Sequence, residues 1–423
     1  MLSCSASETS SKKLPKVLLI ADLVGGGYVN IVRGLQHGYT EVRVPKGANG
    51  NDSNGGGTTK GVAEIDAWLG DEKWDLVYFN FGLHDMMSAD PGNPNRASHN
   101  PNDPAQASPE VYESNLRTIV EKLKATGAKL VFANTIPFRQ ENRRPFRRAD
   151  QVAVYNGIAE NVMKENGIEI HDLHGFVKPR MEELMNSRGV GFTRDGGLEI
   201  ALEVSSGIEK ALGIQREGIS DKRAKALLLG DSVSLGYTPF VRGMLYDAVN
   251  VDRPKNEGGG YLNCQGTFNG LANIDAWLGD GDWDVIHFNF GLHDLKHVLP
   301  GEPSKNSADP SHPQQSDPDT YDANLREIVA KLKATGARLI FANTTPFPDK
   351  PGGPLRRADQ AAIYNAVAAK IMEENDIPIN NLHDFVLPQM EALMPPNNVH
   401  FTQTGSFQLA LQVVSRIEAA LEN

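Results

Sequence analysis

The sequence has 423 residues, a length that favours two or three domains over a single hydrophobic core. Hydrophobic residues make up 40% and charged residues 22% of it, as in soluble globular proteins. The net charge of −11 without a basic cluster argues against nucleic acid as a partner, and no apolar run approaches the roughly 20 residues of a membrane-spanning helix.

The two cysteines, Cys4 and Cys264, imply no disulfide framework, and no Cys/His spacing typical of zinc is present, so we predict no metal and no cofactor. Residues 1–13 are expected to form a flexible tether. Its first residues resemble the end of a bacterial lipoprotein signal, which would put a lipid anchor on Cys4. We therefore expect a secreted, periplasmic or lipid-anchored protein; an ordinary disordered terminus on a cytoplasmic protein is the alternative.

A repeat organises the rest of the chain. Ile65–Gly70 recurs as Ile274–Gly279, and Asn80–Asp85 recurs as Asn289–Asp294, both at an offset of 209 residues (274 − 65). Three further pairs of segments keep the same offset. A constant offset indicates that one domain of about 200 residues has been duplicated in tandem.

We predict two domains, 14–213 and 223–423, joined by a short polar linker. The predicted elements of the second domain are strand 226–229, helix 239–248, a Gly-rich loop 249–270, helix 272–278, strand 285–290, a polar loop 297–319, helix 321–335, strand 338–342, helix 358–375, strand 377–379 and helices 386–394 and 404–421. The alternation of strands and helices predicts an α/β fold in which helices cover both faces of a parallel sheet.

The first predicted strand of the second domain ends abruptly in Gly230-Asp231-Ser232. This places Ser232 at the carboxyl end of a parallel strand, where open α/β sheets bind ligands. Backbone N–H groups at the start of the following helix can stabilise negative charge there. A turn followed by a helix N-cap is the alternative interpretation of the tripeptide.

Further residues follow in a recognisable order: Gly266 in a loop, then His293-Asp294 after a strand, then His400-Phe401-Thr402 before the last helix. Together with Gly230-Asp231-Ser232, this series resembles the SGNH, or GDSL, hydrolase family. The resemblance covers the whole second domain and, in weaker form, the first. It implies two tandem flavodoxin-like SGNH-hydrolase domains.

The resemblance assigns a role to each of these residues. Ser232 is the expected nucleophile and His400 the expected general base. The oxyanion hole would consist of the backbone N–H groups of Ser232 and Gly266 with His293, which stands where the family usually has asparagine; a buried structural histidine is the alternative for His293. Asn397 occupies the position of the usual aspartate and would orient His400 without adding a charge.

The first domain differs at the same positions. It has Leu23 for the nucleophile, Gly191 for the base and Arg188 for the base-orienting residue. We therefore expect the first domain to be catalytically dead.

The expected activity is a carboxylic-ester hydrolase that acts on small acyl groups, above all acetyl, on a carbohydrate or another small ester. The polar loop 297–319 favours this because it offers little apolar area for a long acyl chain. A lipid or aryl esterase is the alternative enzyme, and a pair of glycan-binding pseudoenzyme domains is the alternative without catalysis. The sequence leaves the oligomeric state open.

Overall fold

The computed structural model describes residues 13–22, 25–48, 50–140, 145–186, 190–216, 219–220, 222–257, 259–349 and 352–422. Cys4 and nearly all of the predicted tether lie outside these ranges. Among the helices of the described part, none is long and apolar enough to cross a membrane.

The first copy forms a five-stranded parallel sheet with the strand order β2-β1-β3-β6-β7. Its elements are β1 (Lys16–Ile20), α1 (Gly25–Leu35), β2 (Glu41–Arg43), α2 (Thr58–Leu69), β3 (Leu76–Phe79), β4 (Ala89–Asp90), β5 (Asn93–Ala97), α3 (Pro109–Ala125), β6 (Lys129–Ala133), α4 (Val152–Glu165), β7 (Glu169–His171), α5 (Leu173–Val177), α6 (Met181–Leu184) and α7 (Arg194–Leu212).

The second copy repeats this sheet with the order β9-β8-β10-β13-β14. Its elements are β8 (Ala224–Leu229), α8 (Ser232–Met244), β9 (Val249–Asp252), α9 (Thr267–Leu278), β10 (Val285–Phe288), β11 (Val298–Leu299), β12 (Glu302–Asn306), α10 (Pro318–Ala334), β13 (Arg338–Ala342), α11 (Ala358–Glu374), β14 (Ile379–Asn380), α12 (Leu382–Val386), α13 (Met390–Leu393) and α14 (Gln403–Glu422).

Both sheets have the flavodoxin-like order 2-1-3-4-5, and helices flank each of them. The predicted fold class is therefore confirmed. The central strands read as unbroken apolar runs because parallel strands are covered on both faces. Leu227, Leu228 and Leu229 of β8, for example, are at most 1% exposed.

Four predicted elements differ most from the structure. The predicted loop 249–270 begins with the edge strand β9. Helix α8 begins at Ser232 instead of residue 239, because Asp231 caps it and Pro239 is tolerated in its interior. The polar loop 297–319 contains the hairpin β11–β12. The predicted helix 386–394 is divided between α12 and α13, with a 3₁₀ turn between them.

The two copies pack together through α1 and α8, and equivalent glycines lie at the contact. A Cβ atom at Gly34 would lie 2.4 Å from Phe240 O, and one at Gly243 would lie 2.4 Å from Ile31 O. These glycines are therefore needed for the close approach of the two helices. Because Gly34 and Gly243 differ by the repeat offset, the contact is approximately two-fold symmetric.

The last helix of each copy also begins against the other copy. Arg194, the first residue of α7, forms an ion pair with Asp252 of the second copy. In the other direction, Asn30 Nδ2 donates to Oε1 of Gln403, the first residue of α14, at 2.5 Å. The first copy thus contacts the helix that starts three residues after His400.

Candidate active site

Ser232 lies at the carboxyl end of β8, next to the point where the strand order of the sheet reverses. Asp231 is buried and accepts a hydrogen bond from Val233 N through its side chain at 2.9 Å, which caps α8. Ser232 is therefore the first residue of a capped helix, and its hydroxyl is partly exposed. Asp231 acts as the cap that fixes this turn.

His400, 168 residues further along the chain, meets Ser232 across the top of the sheet. The distance from His400 Nε2 to Ser232 Oγ is 2.8 Å. His400 is exposed and precedes α14, whose start is held against the first copy. The structure thus brings together the two side chains that an acyl transfer by a serine requires.

Asn398, and not Asn397, holds the second nitrogen of His400. Asn398 Oδ1 lies 2.9 Å from His400 Nδ1 and also accepts the backbone N–H of His400 at 3.1 Å. A backbone N–H can only donate, so the oxygen end of this amide must face His400. Nδ1 therefore carries the ring proton, and the lone pair of Nε2 faces the serine hydroxyl.

The expectation for Asn397 is corrected by local backbone geometry. Asn397 has a φ of 55°, in the left-handed region, which asparagine tolerates better than most residues. Its backbone carbonyl accepts from Gly352 N at 2.8 Å. The next residue then forms the side-chain turn to the backbone N–H two positions later, which brings its amide oxygen to the imidazole.

Helices α8 and α9 both begin at the carboxyl edge of the sheet. The N–H of Ser232 is the first of α8 and Gly266 is the N-cap of α9, so neither group has an acceptor within its own helix. Cys264 N donates to Gly230 O at 3.0 Å, which ties the loop before α9 to the turn after β8. This arrangement suits a developing oxyanion.

The sequence profile described as the GDSL-like Lipase/Acylhydrolase family matches residues 20–191 and 228–406, one region in each copy. The chain belongs to this family. Because both regions match, the duplication that the repeat predicts is a duplication of a GDSL-like domain.

The solved structures to which the chain is similar each cover about half of it. The acetyl xylan esterase AlAXEase is 14% identical and covers 46% of this chain and 99% of its own, with a TM-score of 0.37. A lipase/acylhydrolase from Enterococcus faecalis is 18% identical over 46% and 96%, with a TM-score of 0.37. The acetylxylan esterase Axe2 from Geobacillus stearothermophilus is 18% identical over 48% and 96%, with a TM-score of 0.36. No curated protein is detectably similar in sequence.

Asp294 of this GDSL-like site is structural. It is fully buried, and its Oδ1 accepts from Thr267 N at 2.8 Å, which holds the start of α9 and hence Gly266. Burial raises the pKa of Asp294 to about 6. Asp85 of the first copy accepts from Thr58 N at the same distance, 2.8 Å. The interaction therefore supports the loop in both copies of the GDSL-like domain.

His293 lies at the same carboxyl edge of the sheet as Ser232, because it follows β10, which is parallel to β8. Its neighbour Leu292 and Asp231 line one small cavity of about 10 Å³ under the nucleophile turn. Partial burial, followed by the charges of Lys296, Arg356 and His400, lowers the pKa of His293 to about 3. The His293 imidazole is therefore neutral and can donate one N–H.

Arg253 is a residue of this GDSL-like site that the sequence reading missed. It is 1% exposed, and its guanidinium donates to the backbone carbonyl of Gly230 and to Ser234 Oγ, the latter at 2.7 Å. It thus clamps the turn that carries Ser232. The first copy has Val44 at the equivalent position. Comparing the two copies for an apolar residue replaced by a cation would have revealed it.

The first GDSL-like domain retains the supporting Asp85 and the histidine His84, but has no counterpart of Arg253 or of the proposed reacting groups. Leu23 and Arg188 lie outside the described residues, and Gly191 has no side chain with which to replace the imidazole. His84 is retained, with a pKa lowered to about 4, chiefly by burial. Among the described residues, neither copy contains three or more His, Cys, Asp or Glu side chains grouped to hold a metal ion.

Proposed function

We propose that the second copy is a serine esterase that hydrolyses small acyl esters, with acetyl esters of carbohydrate as the preferred substrates. The observation that carries the proposal is the 2.8 Å contact between Ser232 Oγ and a His400 Nε2 whose lone pair is set by Asn398. Membership in the GDSL-like lipase/acylhydrolase family supports hydrolase chemistry at this site.

In the proposed reaction, Ser232 Oγ attacks the ester carbonyl while His400 Nε2 takes the hydroxyl proton. The tetrahedral oxyanion accepts hydrogen bonds from the backbone N–H groups of Ser232 and Gly266. His400 then gives the proton to the departing alcohol, which leaves an acyl group on Ser232. Water, deprotonated by His400, attacks that acyl group and releases the acid.

The acyl preference rests on the surroundings of the nucleophile. Ser232 and His400 lie near the surface, and strand β12 of the hairpin that follows His293 is mostly polar. A short acyl group needs no long apolar groove. Two of the solved proteins to which the chain is similar, AlAXEase and Axe2, are described as acetylxylan esterases, which agrees with a carbohydrate acetyl ester as the proposed substrate.

One exposed side chain favours a second candidate, an aryl or lipid esterase. Phe268 is 49% exposed in the first turn of α9, two residues after Gly266, whereas the first copy has Thr59 there. An apolar ring at the edge of the site could contact an aromatic alcohol or a longer acyl chain. The two candidates differ in their dependence on chain length.

Hydrolysis of p-nitrophenyl esters with acyl chains of two to eight carbons tests the proposal. We expect kcat/KM to be highest for acetate and Ser232→Ala to lower kcat by at least about 10⁴-fold. Leu23→Ala, the same kind of change at the equivalent position of the first copy, is the control and should leave kcat unchanged.

Two results would count against the proposal in different ways. A kcat/KM that rises with chain length and falls on Phe268→Thr would favour the lipid or aryl esterase. No hydrolysis of any ester would favour a pair of domains that only bind glycans. A rate that Ser232→Ala leaves unaltered would show that Ser232 is not the nucleophile.

A further inference from the structure

Lys296 is a buried cation beside the proposed catalytic site. It is 6% exposed, and its Nζ lies 3.4 Å from Nδ1 of His293. Within the described ranges, no carboxylate forms an ion pair with it, and this contact with His293 is the hydrogen bond of its side chain. Burial and the charge of Arg356 lower the pKa of Lys296, although the charge of Asp294 favours its ammonium form. A lysine placed in this way, without an ion pair, needs an explanation because burying a charge is costly.

The contact determines which nitrogen of His293 carries the proton. A lysine ammonium has three donors and no acceptor, so Nδ1 of His293 must present its lone pair. The proton of the neutral ring is then on Nε2. His293 Nε2 has no hydrogen-bond partner within the described ranges, and it is accessible to solvent. An N–H donor is therefore free on the side of the ring that faces away from Lys296.

The first copy provides the contrast. Met87 stands in place of Lys296, and His84 stands in place of His293. His84 Nδ1 is buried and has no partner in the described part of the chain. The lysine thus accompanies Ser232 and His400, whereas the histidine occurs in both copies. If Lys296 only supported the loop, the first copy, which keeps the same loop, would need an equivalent contact.

Nearby charges keep His293 from acting as a base. Arg356 is 6% exposed and donates from Nε to Leu292 O at 2.9 Å, which puts its guanidinium next to His293. Burial is the main reason why His293 stays neutral, and the charges of Lys296, Arg356 and His400 add to its effect. A neutral Nε2–H donor is the group that can stand in for an asparagine amide in an oxyanion hole.

We propose that Lys296 is a positioning residue that fixes His293 in the Nε2–H tautomer, so that this N–H completes the oxyanion hole with the backbone N–H groups of Ser232 and Gly266. The proposal rests on the proposed esterase function. It explains how a histidine serves at this position and why the lysine occurs only in the second copy.

The first test is the tautomer itself, which requires no turnover. Two-bond ¹⁵N–¹H correlation spectra of the imidazoles in the full chain distinguish a protonated from an unprotonated Nδ1. We expect His293 to show an unprotonated Nδ1 in the wild type and in Lys296→Arg, which retains a donor. In Lys296→Met, which copies the first domain, the Nδ1–H form should become populated.

The second test is a kinetic cycle on p-nitrophenyl acetate. Lys296→Met should lower kcat about tenfold with KM changed less than twofold, because only the transition state bears the oxyanion. Lys296→Arg should restore most of the loss. When His293→Asn supplies an amide donor that needs no tautomer, adding Lys296→Met should change kcat less than twofold.

The outcomes separate this inference from the proposed function. If the wild type hydrolyses the ester but the His293 tautomer is the same with and without Lys296, the inference is wrong and the esterase stands. It is also wrong if Lys296→Met raises only KM, or lowers kcat equally in the His293→Asn background, since Lys296 would then bind substrate or support the fold. If the wild type hydrolyses no ester, the proposed function fails, and the oxyanion role of His293 fails with it.

Discussion

The two copies share a strand order, a constant offset of 209 residues (274 − 65) and the same support for the loop before the second main helix. Only the second copy has a serine and a histidine at the positions of the proposed nucleophile and base. Asp85 holds Thr58 in the first copy as Asp294 holds Thr267 in the second. The residues that support the loops at the carboxyl edge of the sheet are thus different from those that we propose to react. Asp85 and Asp294, which hold the same loop in the two copies, therefore have a structural role.

The positions that differ between the copies point to the chemistry. At the site, Arg253 and Lys296 of the second copy replace Val44 and Met87 of the first. Both cations are buried, and each contacts a group that the proposed reaction uses: the turn of Ser232 or the ring of His293. The copy proposed to be active therefore differs from the other by buried supporting charges as well as by the side chains proposed to react.

The largest expected effect comes from making the second copy resemble the first at the base. His400→Gly introduces the residue that the first copy has at position 191, and it removes the only imidazole in contact with Ser232 Oγ among the described residues. We expect kcat on p-nitrophenyl acetate to fall by about 10⁴-fold or more, with partial recovery on addition of imidazole to the buffer. A variant that retained wild-type kcat would show that another group activates the serine.

Much of this comparison could be predicted from the sequence, because the repeat and the order of motifs are local features. The sequence predicted the fold and the contact of Ser232 with His400, both of which the structure shows, while the catalytic inactivity of the first copy stays a prediction. The sequence indicated that the Asn397 amide orients His400. Spacing alone cannot show that Asn397 has a left-handed backbone and that the amide of Asn398 contacts the imidazole instead. Lys296 was missed because its contact with His293 depends on tertiary packing.

The next effect concerns a pair of polar side chains inside each sheet, which consists of different residues in the two copies. His287 of β10 is fully buried beside Asn380, 3.2 Å from Asn380 Nδ2, whereas the first copy pairs Tyr78 with His171. Burial lowers the pKa of His287 to about 4. The folded protein therefore keeps His287 neutral while the unfolded chain takes up a proton below an ordinary pKa of about 6.5.

This pKa difference makes a signed prediction for acid. Stability should fall as pH drops from about 6.5 to about 4, and His287 should account for roughly 3 kcal/mol of that loss. His287→Gln should flatten the dependence of the free energy of unfolding on pH in that window. Urea melts at a series of pH values measure it, and an unchanged slope would show that His287 is not the titrating group.

A smaller effect is expected at the contact between the copies. Gly34→Ala would put a Cβ 2.4 Å from the backbone oxygen of Phe240, so α1 and α8 must shift. We expect the free energy of unfolding to fall by about 1–3 kcal/mol, as for other overpacked sites. Gly27→Ala on the same helix, where nothing lies within 4 Å, is the control and should not destabilise.

Activity measurements on the same variants show whether the first copy supports catalysis. If Gly34→Ala lowers kcat and Gly27→Ala does not, the packing of the copies helps to hold the start of α14 and hence His400. Equal kcat for the two variants would mean that the first copy contributes to stability alone.

The smallest expected effect tests the amide that orients the base. Asn398→Ala should lower kcat about tenfold, the value of about 1.4 kcal/mol of transition-state stabilisation, while Asn398→Asp should match or exceed the wild type. Asn397→Gly, which keeps the left-handed backbone, is the control and should leave kcat unchanged. The reverse pattern would restore Asn397 as the orienting residue.

Covalent labelling tests the central claim, that one copy carries the chemistry, most directly. A p-nitrophenyl alkylphosphonate forms a stable phosphorus–oxygen bond with an activated serine and releases p-nitrophenolate. Intact mass followed by peptide mapping should give one adduct per chain, located on Ser232, and none in Ser232→Ala. No adduct at all, or an adduct on a residue of the first copy, would contradict the account.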